Sequence, residues 1–232
     1  MTLKTNSRLA GFIFLAYIVL GITSMILSRQ VLGDADNTSE KLASISQHPF
    51  KMQVDIIIVL LAAAFALVLA VTIYALTRHI DRELALIALC CRVTEGVIGV
   101  FSTIKSVALI SLATSITGLA GTEGAETNIA DMLFKMGGWI LFSSTSCFAL
   151  GSTIYCYLFL RDRSIPILLA WFGLFSSVLL LVVFPLKLAG FIESPLTIVW
   201  IPILVFEITL AFWLLIKGVA ERSKQFNTLV PK

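Results

Sequence analysis

Three ionisable residues, Arg92, Glu95 and Glu207, are the best candidates for chemistry in this sequence, because each lies near the middle of a long apolar stretch. About 20 consecutive apolar residues cross the hydrocarbon core of a bilayer, so these side chains are expected at mid-depth. Charged groups are costly to bury there, and those that occur commonly belong to ion, proton or substrate pathways. The three residues therefore predict an intramembrane polar site.

Arg92 and Glu95 are three positions apart, which places them on one face of a helix. The same face continues with small or polar residues at Gly96, Gly99, Thr103 and Ser106. Because a polar face avoids lipid, we expect it to point into a helical bundle. There, Arg92 is expected to bridge Glu95 and Glu207, unless one acid keeps its proton. Pro202, five positions before Glu207, is expected to kink the helix beside that acid.

Two functional hypotheses fit this network equally well. In the first, the protein is a small transporter or proton-coupled carrier that uses the interior arginine and glutamates. In the second, it is a non-transporting regulatory, stress-related or assembly protein, and the network is a structural lock that pins the third membrane helix to the sixth. Both hypotheses stay open at this point.

Asp55 and Lys105 are minor candidates for a second polar site. Both lie near the predicted outer ends of apolar stretches, so we expect their side chains to reach the membrane interface. Pairing of the two at an outer vestibule is the less favoured alternative. The two histidines, His48 and His79, lie outside the apolar stretches, which argues against a buried haem site. No motif for a metal, a nucleotide or a hydrolase is present, so neither an enzyme nor a cofactor is expected.

The composition indicates that lipid surrounds most of the chain. Of its 232 residues, 58% are hydrophobic and only 13% are charged, the reverse of the balance in soluble domains. The formal net charge of +3 is too small to predict a nucleic-acid partner. The expected partner is the lipid bilayer itself, and the sequence leaves protein partners and homo-oligomers open.

Six apolar segments divide the chain into one transmembrane domain over 1–232. None alternates like a barrel strand, so an all-α bundle of six transmembrane helices is predicted. The first segment lacks a small-residue cleavage site and is expected to remain as a helix. The predicted helices are 9–28, 53–77, 84–114, 133–160, 165–189 and 196–217.

The loops set the predicted orientation and connectivity. Lys and Arg are more frequent at the N-terminus, in loops 78–83 and 161–163 and in the C-terminal tail, so the positive-inside rule places both termini in the cytosol. Those two loops are so short that their flanking helices form antiparallel hairpins. The longest loop, 29–52, is expected outside, with a turn at 33–37 and a short helix from Thr38 that caps the bundle.

Four short segments follow one another in a distinctive order, namely Arg8-Leu9-Ala10-Gly11, Arg92-Val93-Thr94-Glu95, Arg161-Asp162-Arg163-Ser164-Ile165-Pro166, and Glu207 followed by Trp213 to Gly218. In this order they resemble an uncharacterised bacterial membrane family, domain of unknown function 4386. The resemblance implies a six-helix protein of the bacterial inner membrane in which Arg92, Glu95 and Glu207 occupy the polar positions of the family. It implies no activity.

Overall fold

The chain folds into helices throughout the part that the computed structural model describes, which is residues 3–33, 37–115, 123–192 and 197–219. No strand occurs among these residues. A short 3-10 turn, Thr197–Val199, precedes the last helix. The helices are α1 (Leu3–Leu32), α2 (Thr38–Gln47), α3 (Pro49–Thr77), α4 (Arg82–Ser115), α5 (Glu123–Asp162), α6 (Ile167–Leu188) and α7 (Trp200–Ile216).

Five helices, α1, α3, α4, α5 and α6, are long and apolar enough to cross a membrane. The apolar helix α7 is shorter, with 17 residues. Large hydrophobic side chains cover the outer surface of the bundle, and Leu168, for example, is 83% exposed. Such a surface suits lipid rather than water. The five long apolar helices therefore indicate a multi-pass membrane protein, as the composition predicted.

Each predicted apolar segment falls on one of these helices, but α5 begins ten residues before the expected start at 133. Its first turns contain polar residues that a hydropathy argument excludes from the bilayer. They are helical because they pack beyond the apolar segment, where Ala130 joins a small cluster with Leu42 and Ile45 of α2. Tertiary packing therefore extends this helix past its apolar part.

The predicted short helix after the first apolar segment is confirmed, because α2 begins at Thr38. Val31 of α1 and Met52 of α3 belong to the same cluster that buries Leu42 and Ile45, so α2 covers one end of the bundle. The predicted turn at 33–37 lies partly outside the described residues, because 34–36 are not among them. The basic tail from 220 onward also lies outside them.

Six helices pack side by side in a closed ring. α1 packs against α3 and α7, α4 packs between α3 and α5, and α6 packs between α5 and α7. The helix contact between α4 and α5 is the most extensive, and it uses the small residues of α5. A Cβ atom added to Gly151 would lie only 3.2 Å from the Ala88 carbonyl oxygen of α4. Small residues at this crossing therefore allow the two helices to pack closely.

The ring closes where α1 meets α7, at an unusually close helix crossing. A Cβ atom built on Gly11 would lie 2.6 Å from the Leu215 backbone nitrogen and 2.7 Å from the Ala211 carbonyl oxygen. One turn earlier, Ser7 Oγ donates to the Leu214 carbonyl at 3.2 Å and accepts from the Val219 N–H at 3.1 Å. Small residues four apart allow this approach of backbones.

The two short turns lie at one end of the bundle, which we call the hairpin end. Arg161 of the α5–α6 turn forms an ion pair with Asp81 of the α3–α4 turn at 3.1 Å. His79 Nε2 lies 3.6 Å from the Asp162 carboxylate. The α1–α7 contact at Ser7 and Gly218 brings the beginning of α1 and the end of α7 together, and α7 also reaches the α5–α6 turn through the groove at Lys217.

The prediction of a kink at Pro202 is wrong. α7 begins at Trp200, so Pro202 occupies its first turn. The first four N–H groups of a helix have no partner within it, and a proline there removes no hydrogen bond. Glu207 therefore lies on a regular helix, with Pro202 at its start.

Candidate functional site

The central polar cluster begins with an ion pair within α4. Arg92 Nη1 lies 2.9 Å from Glu95 Oε2, and the two side chains are only 3% and 8% exposed. These two atoms lack a well-oriented hydrogen bond, so their attraction is that of a close ion pair. Thr103 and Ser106 are buried on the same face of α4. The prediction that this face points into the bundle is confirmed.

Glu95 is held by neighbours from two other helices. Tyr17 Oη of α1 donates to Glu95 Oε1 at 3.2 Å. Ser144 Oγ of α5 donates to the Glu95 backbone carbonyl at 3.1 Å. One residue of α4 thus connects the first helix of the ring with the longest one, and the buried carboxylate accepts an O–H hydrogen bond in addition to its ion pair.

The Arg92 guanidinium is placed by an aromatic ring and a helix crossing. Its Cζ lies 4.6 Å from the centroid of the Phe148 ring of α5, a cation–π distance. The base of the side chain passes close to Gly151, where an added Cβ would come within 3.2 Å of Arg92 Cγ. A larger residue at 151 would push the guanidinium away from Glu95.

Glu207 of α7 faces Arg92 across a small cavity instead of pairing with it. The cavity has a volume of about 20 Å³ and is also lined by Ser152, Tyr155 and Phe206. A volume of about 10–15 Å³ accommodates one water molecule, so there is space for a water between the acid and the guanidinium. Among the residues described, no hydrogen bond or ion pair connects Glu207 to a side chain within contact distance.

The predicted network is found only in part. Among the residues described, Arg92 forms its ion pair with Glu95 and not with Glu207. The predicted alternative, in which one acid keeps its proton, stays a prediction. The network does not pin the third apolar helix to the sixth, because the neighbours of α4 in the ring are α3 and α5. The hydrogen bonds of Glu95 connect α4 to α1 and α5 instead.

Asp55 is buried in the bundle, and the charge of Lys105 lies near it. Asp55 is only 7% exposed, and its Oδ2 accepts a long hydrogen bond of 3.5 Å from Ser28 of α1. Its other oxygen, Oδ1, has no hydrogen-bond partner. The Lys105 stem crosses Gly137 of α5, and its ammonium acts electrostatically on Asp55 without forming an ion pair. The electrostatic contact between the two residues fits the less favoured alternative, in which they pair at an outer vestibule, and whether either side chain reaches the membrane interface stays a prediction.

Sequence reasoning missed the residues that hold Glu95, namely Tyr17 and Ser144. A tyrosine deep in an apolar segment is a usable signal, because its hydroxyl needs a partner in hydrocarbon. Ser144 gave no such signal, since a small hydroxyl residue in a membrane helix commonly bonds to its own backbone. Phe148 was equally unremarkable, as one of 16 phenylalanines.

The fold and the cluster define a helical multi-pass membrane protein with buried charges in the interior of its bundle. The chain belongs to the family described as Domain of unknown function (DUF4386), whose model matches residues 9–218. This match confirms the family resemblance that the four sequence segments indicated. No curated protein and no solved structure matches the chain.

Proposed function

We propose that this protein is a proton-coupled carrier of the bacterial inner membrane and that Glu207 is its proton-binding residue. The observation that carries the proposal is the position of Glu207, which is buried at mid-helix, faces Arg92 across a cavity of about 20 Å³ and has no ion-pair partner among the described residues. An unpaired carboxylate is costly in hydrocarbon, and binding a proton removes that cost. The nearby guanidinium stabilises the carboxylate when the proton leaves.

The small size of the cavity limits the proposal for this conformation to the binding and transfer of a proton. A space for one water suits the transfer of a proton and is far smaller than the cavities that hold organic ligands, about 300 Å³ or more. The conformation described here is therefore occluded, and a carried substrate would require the helices around Glu207 to separate. We propose no enzymatic activity and no cofactor.

Infrared spectroscopy on a Glu207→Gln variant tests the proton site without knowledge of a substrate. The difference spectrum between acidic and alkaline pH should contain a carboxylic C=O band in the wild-type protein, and the variant should lack it. The free energy of unfolding should change by less than about 1 kcal/mol, because the amide is nearly isosteric and Glu207 has no ion pair to lose. An unchanged band would contradict the assignment.

A flux assay then tests whether protons cross the membrane through the Glu207 site. Vesicles containing the wild-type protein and a trapped pH-sensitive dye should acidify when a negative interior potential is imposed, and Glu207→Gln vesicles should behave like protein-free ones. Thr209→Val is the matched control, because Thr209 lies on the same helix, is exposed, and bonds only to its own backbone at Val205. Equal acidification by Glu207→Gln and wild-type vesicles would refute the proton pathway.

A structural role is the second candidate, and a different part of the cluster favours it. The Arg92–Glu95 pair, with Tyr17 and Ser144, joins three helices through hydrogen bonds and charge. A regulatory or assembly protein needs only this lock. The two roles share Arg92 and differ in the acid, since the lock holds Glu95 of α4 while the proposed proton-binding residue is Glu207 of α7.

We further propose six crossings, with both termini in the cytosol. α7 has 17 residues and extends for about 25 Å, and the 3-10 turn of three residues before it adds about 6 Å. Their sum approaches the hydrocarbon thickness of about 30 Å. The excess of basic residues at the hairpin end supports its cytosolic position.

Reporter fusions test this orientation. A phosphatase reporter, active only outside the cytosol, should be active when fused at position 120 and inactive at position 163. A fluorescent reporter that matures only in the cytosol should give the opposite pattern. Activity of the same reporter at both positions would contradict six crossings.

A further inference from the structure

A groove at the hairpin end combines two unpaired basic side chains with an exposed apolar border. It has a volume of about 470 Å³ and lies between the α5–α6 turn and the end of α7. Arg163 and Lys217 both line it, and both are exposed. Neither forms an ion pair with any residue in the described ranges. The groove therefore has positive charge that no described acidic residue neutralises.

Trp213 adds an aromatic wall to the groove. The Lys217 ammonium lies 4.5 Å from the centroid of the Trp213 ring, which holds the cation at the wall of the groove. The indole Nε1 of Trp213 is buried and has no hydrogen-bond partner. Because Nε1 is buried, Trp213 contributes its ring to the groove, and this N–H has no part in the proposed ligand contact.

Arg163 ends helix α5 in a left-handed backbone conformation that glycine would adopt without strain. Arg163 has a φ of 55°, in the left-handed region. It ends α5 with two hydrogen bonds, from the Ser164 N–H to the Phe159 carbonyl and from the Arg163 N–H to the Leu160 carbonyl. Glycine is the usual residue at this position of such a helix end, and any other residue costs about 1 kcal/mol. An arginine at this position is consistent with a role for its positive charge in binding a ligand.

The surroundings of the groove are apolar and face lipid. Ile167, which lines the groove, is 48% exposed, and its neighbours Leu168 and Ile216 are 83% and 69% exposed. A soluble anion would gain nothing from these side chains, whereas the acyl chains of a phospholipid would cover them. The basic groups lie at the level where lipid phosphates are found, since the turn and the helix end mark the edge of the apolar surface.

We propose that this groove binds the headgroup phosphate of an anionic phospholipid. Arg163 and Lys217 contact the phosphate oxygens, Trp213 borders the headgroup, and the acyl chains lie along the exposed residues at the start of α6 and the end of α7. The site is independent of the proton-binding role of Glu207, because none of its residues lines the cavity at Arg92.

Thermal unfolding of the full chain in detergent tests the proposal. Phosphatidylglycerol should raise the melting temperature of the wild-type protein more than phosphatidylcholine does, because a ligand that binds only the folded state stabilises it. Inorganic phosphate at the same concentration should have no effect. An equal effect of phosphatidylcholine would contradict recognition of the anionic headgroup, and an equal effect of inorganic phosphate would contradict a lipid as its source.

Variants connect the effect to the groove. The double variant Arg163→Gly with Lys217→Gln should lose the extra stabilisation by phosphatidylglycerol. Without lipid, Arg163→Gly alone should be at least as stable as the wild type, because glycine relieves the left-handed backbone, so misfolding cannot imitate the expected loss. Arg78→Gln is the matched control, an exposed basic residue at the same end that does not line the groove. A double variant that responds like the wild type would overturn the assignment.

Discussion

A Gly11→Ala variant should lose about 3 kcal/mol of stability or more, although it adds a single methyl group. The new Cβ would lie 2.6 Å from the Leu215 nitrogen and 2.7 Å from the Ala211 oxygen, and both are backbone atoms of α7. A backbone cannot rotate away as a flexible side chain does, so α1 and α7 must separate. That separation would also lengthen the hydrogen bond from Ser7 to Leu214. Thermal unfolding in detergent measures the loss.

Gly21→Ala is a control on the same helix. No atom lies within 4 Å of a Cβ added at Gly21, so this change introduces no contact. Alanine is the better helix former by about 1 kcal/mol, and the control should be neutral or slightly stabilised. The two variants differ only in what surrounds the methyl group. A Gly11→Ala protein as stable as the Gly21→Ala protein would mean that the α1–α7 crossing is looser than described.

Removal of the Arg92 charge should have an effect of similar size. Arg92→Gln leaves the Glu95 carboxylate buried without its ion-pair partner, and breaking such a pair from one side costs about 3–5 kcal/mol. The hydrogen bond from Tyr17 remains, but a neutral hydroxyl does not replace a cation. The measurement is the unfolding free energy of the detergent-solubilised variant.

A double-mutant cycle separates loss of the pair from loss of packing. Glu95→Gln combined with Arg92→Gln removes both charges and leaves no unpaired ion, so the double variant should be more stable than Arg92→Gln alone. Additive losses from the two single changes would show that Arg92 and Glu95 do not act on each other.

Much of the fold could be predicted from hydropathy, because lipid forces each long apolar segment into a helix. The start of α2 at Thr38 followed from turn and capping residues. The start of α5 did not, since its polar first turns are helical only because Ala130 packs against α2. Hydropathy indicates which residues lie in lipid. It does not indicate which polar residues pack against another helix outside the lipid.

The candidate site was predictable in its members and not in its pairing. Buried charge at mid-depth pointed to Arg92, Glu95 and Glu207, and the three-residue spacing pointed to the ion pair that α4 forms. Which helices are neighbours depends on how the ring closes, and that depends on single small residues such as Gly11. The sequence contains 14 glycines, and nothing in it distinguishes the one that lies at this crossing. The contact between α1 and α7, and the separation of Glu207 from Arg92, were therefore beyond reach.

The meeting of the first and last helices has a consequence for biosynthesis. During translation, α1 enters the membrane long before α7 has been made, so its surface at Gly11 stays unmatched until nearly the whole chain has been inserted. Tyr17 and Glu95 can meet earlier, because α1 and α4 precede α7 along the chain. Among the described helices, α7, which carries Glu207, therefore docks last. A chain truncated before Trp200 should leave the α1 surface at Gly11 uncovered and accessible to the quality-control proteases of the membrane.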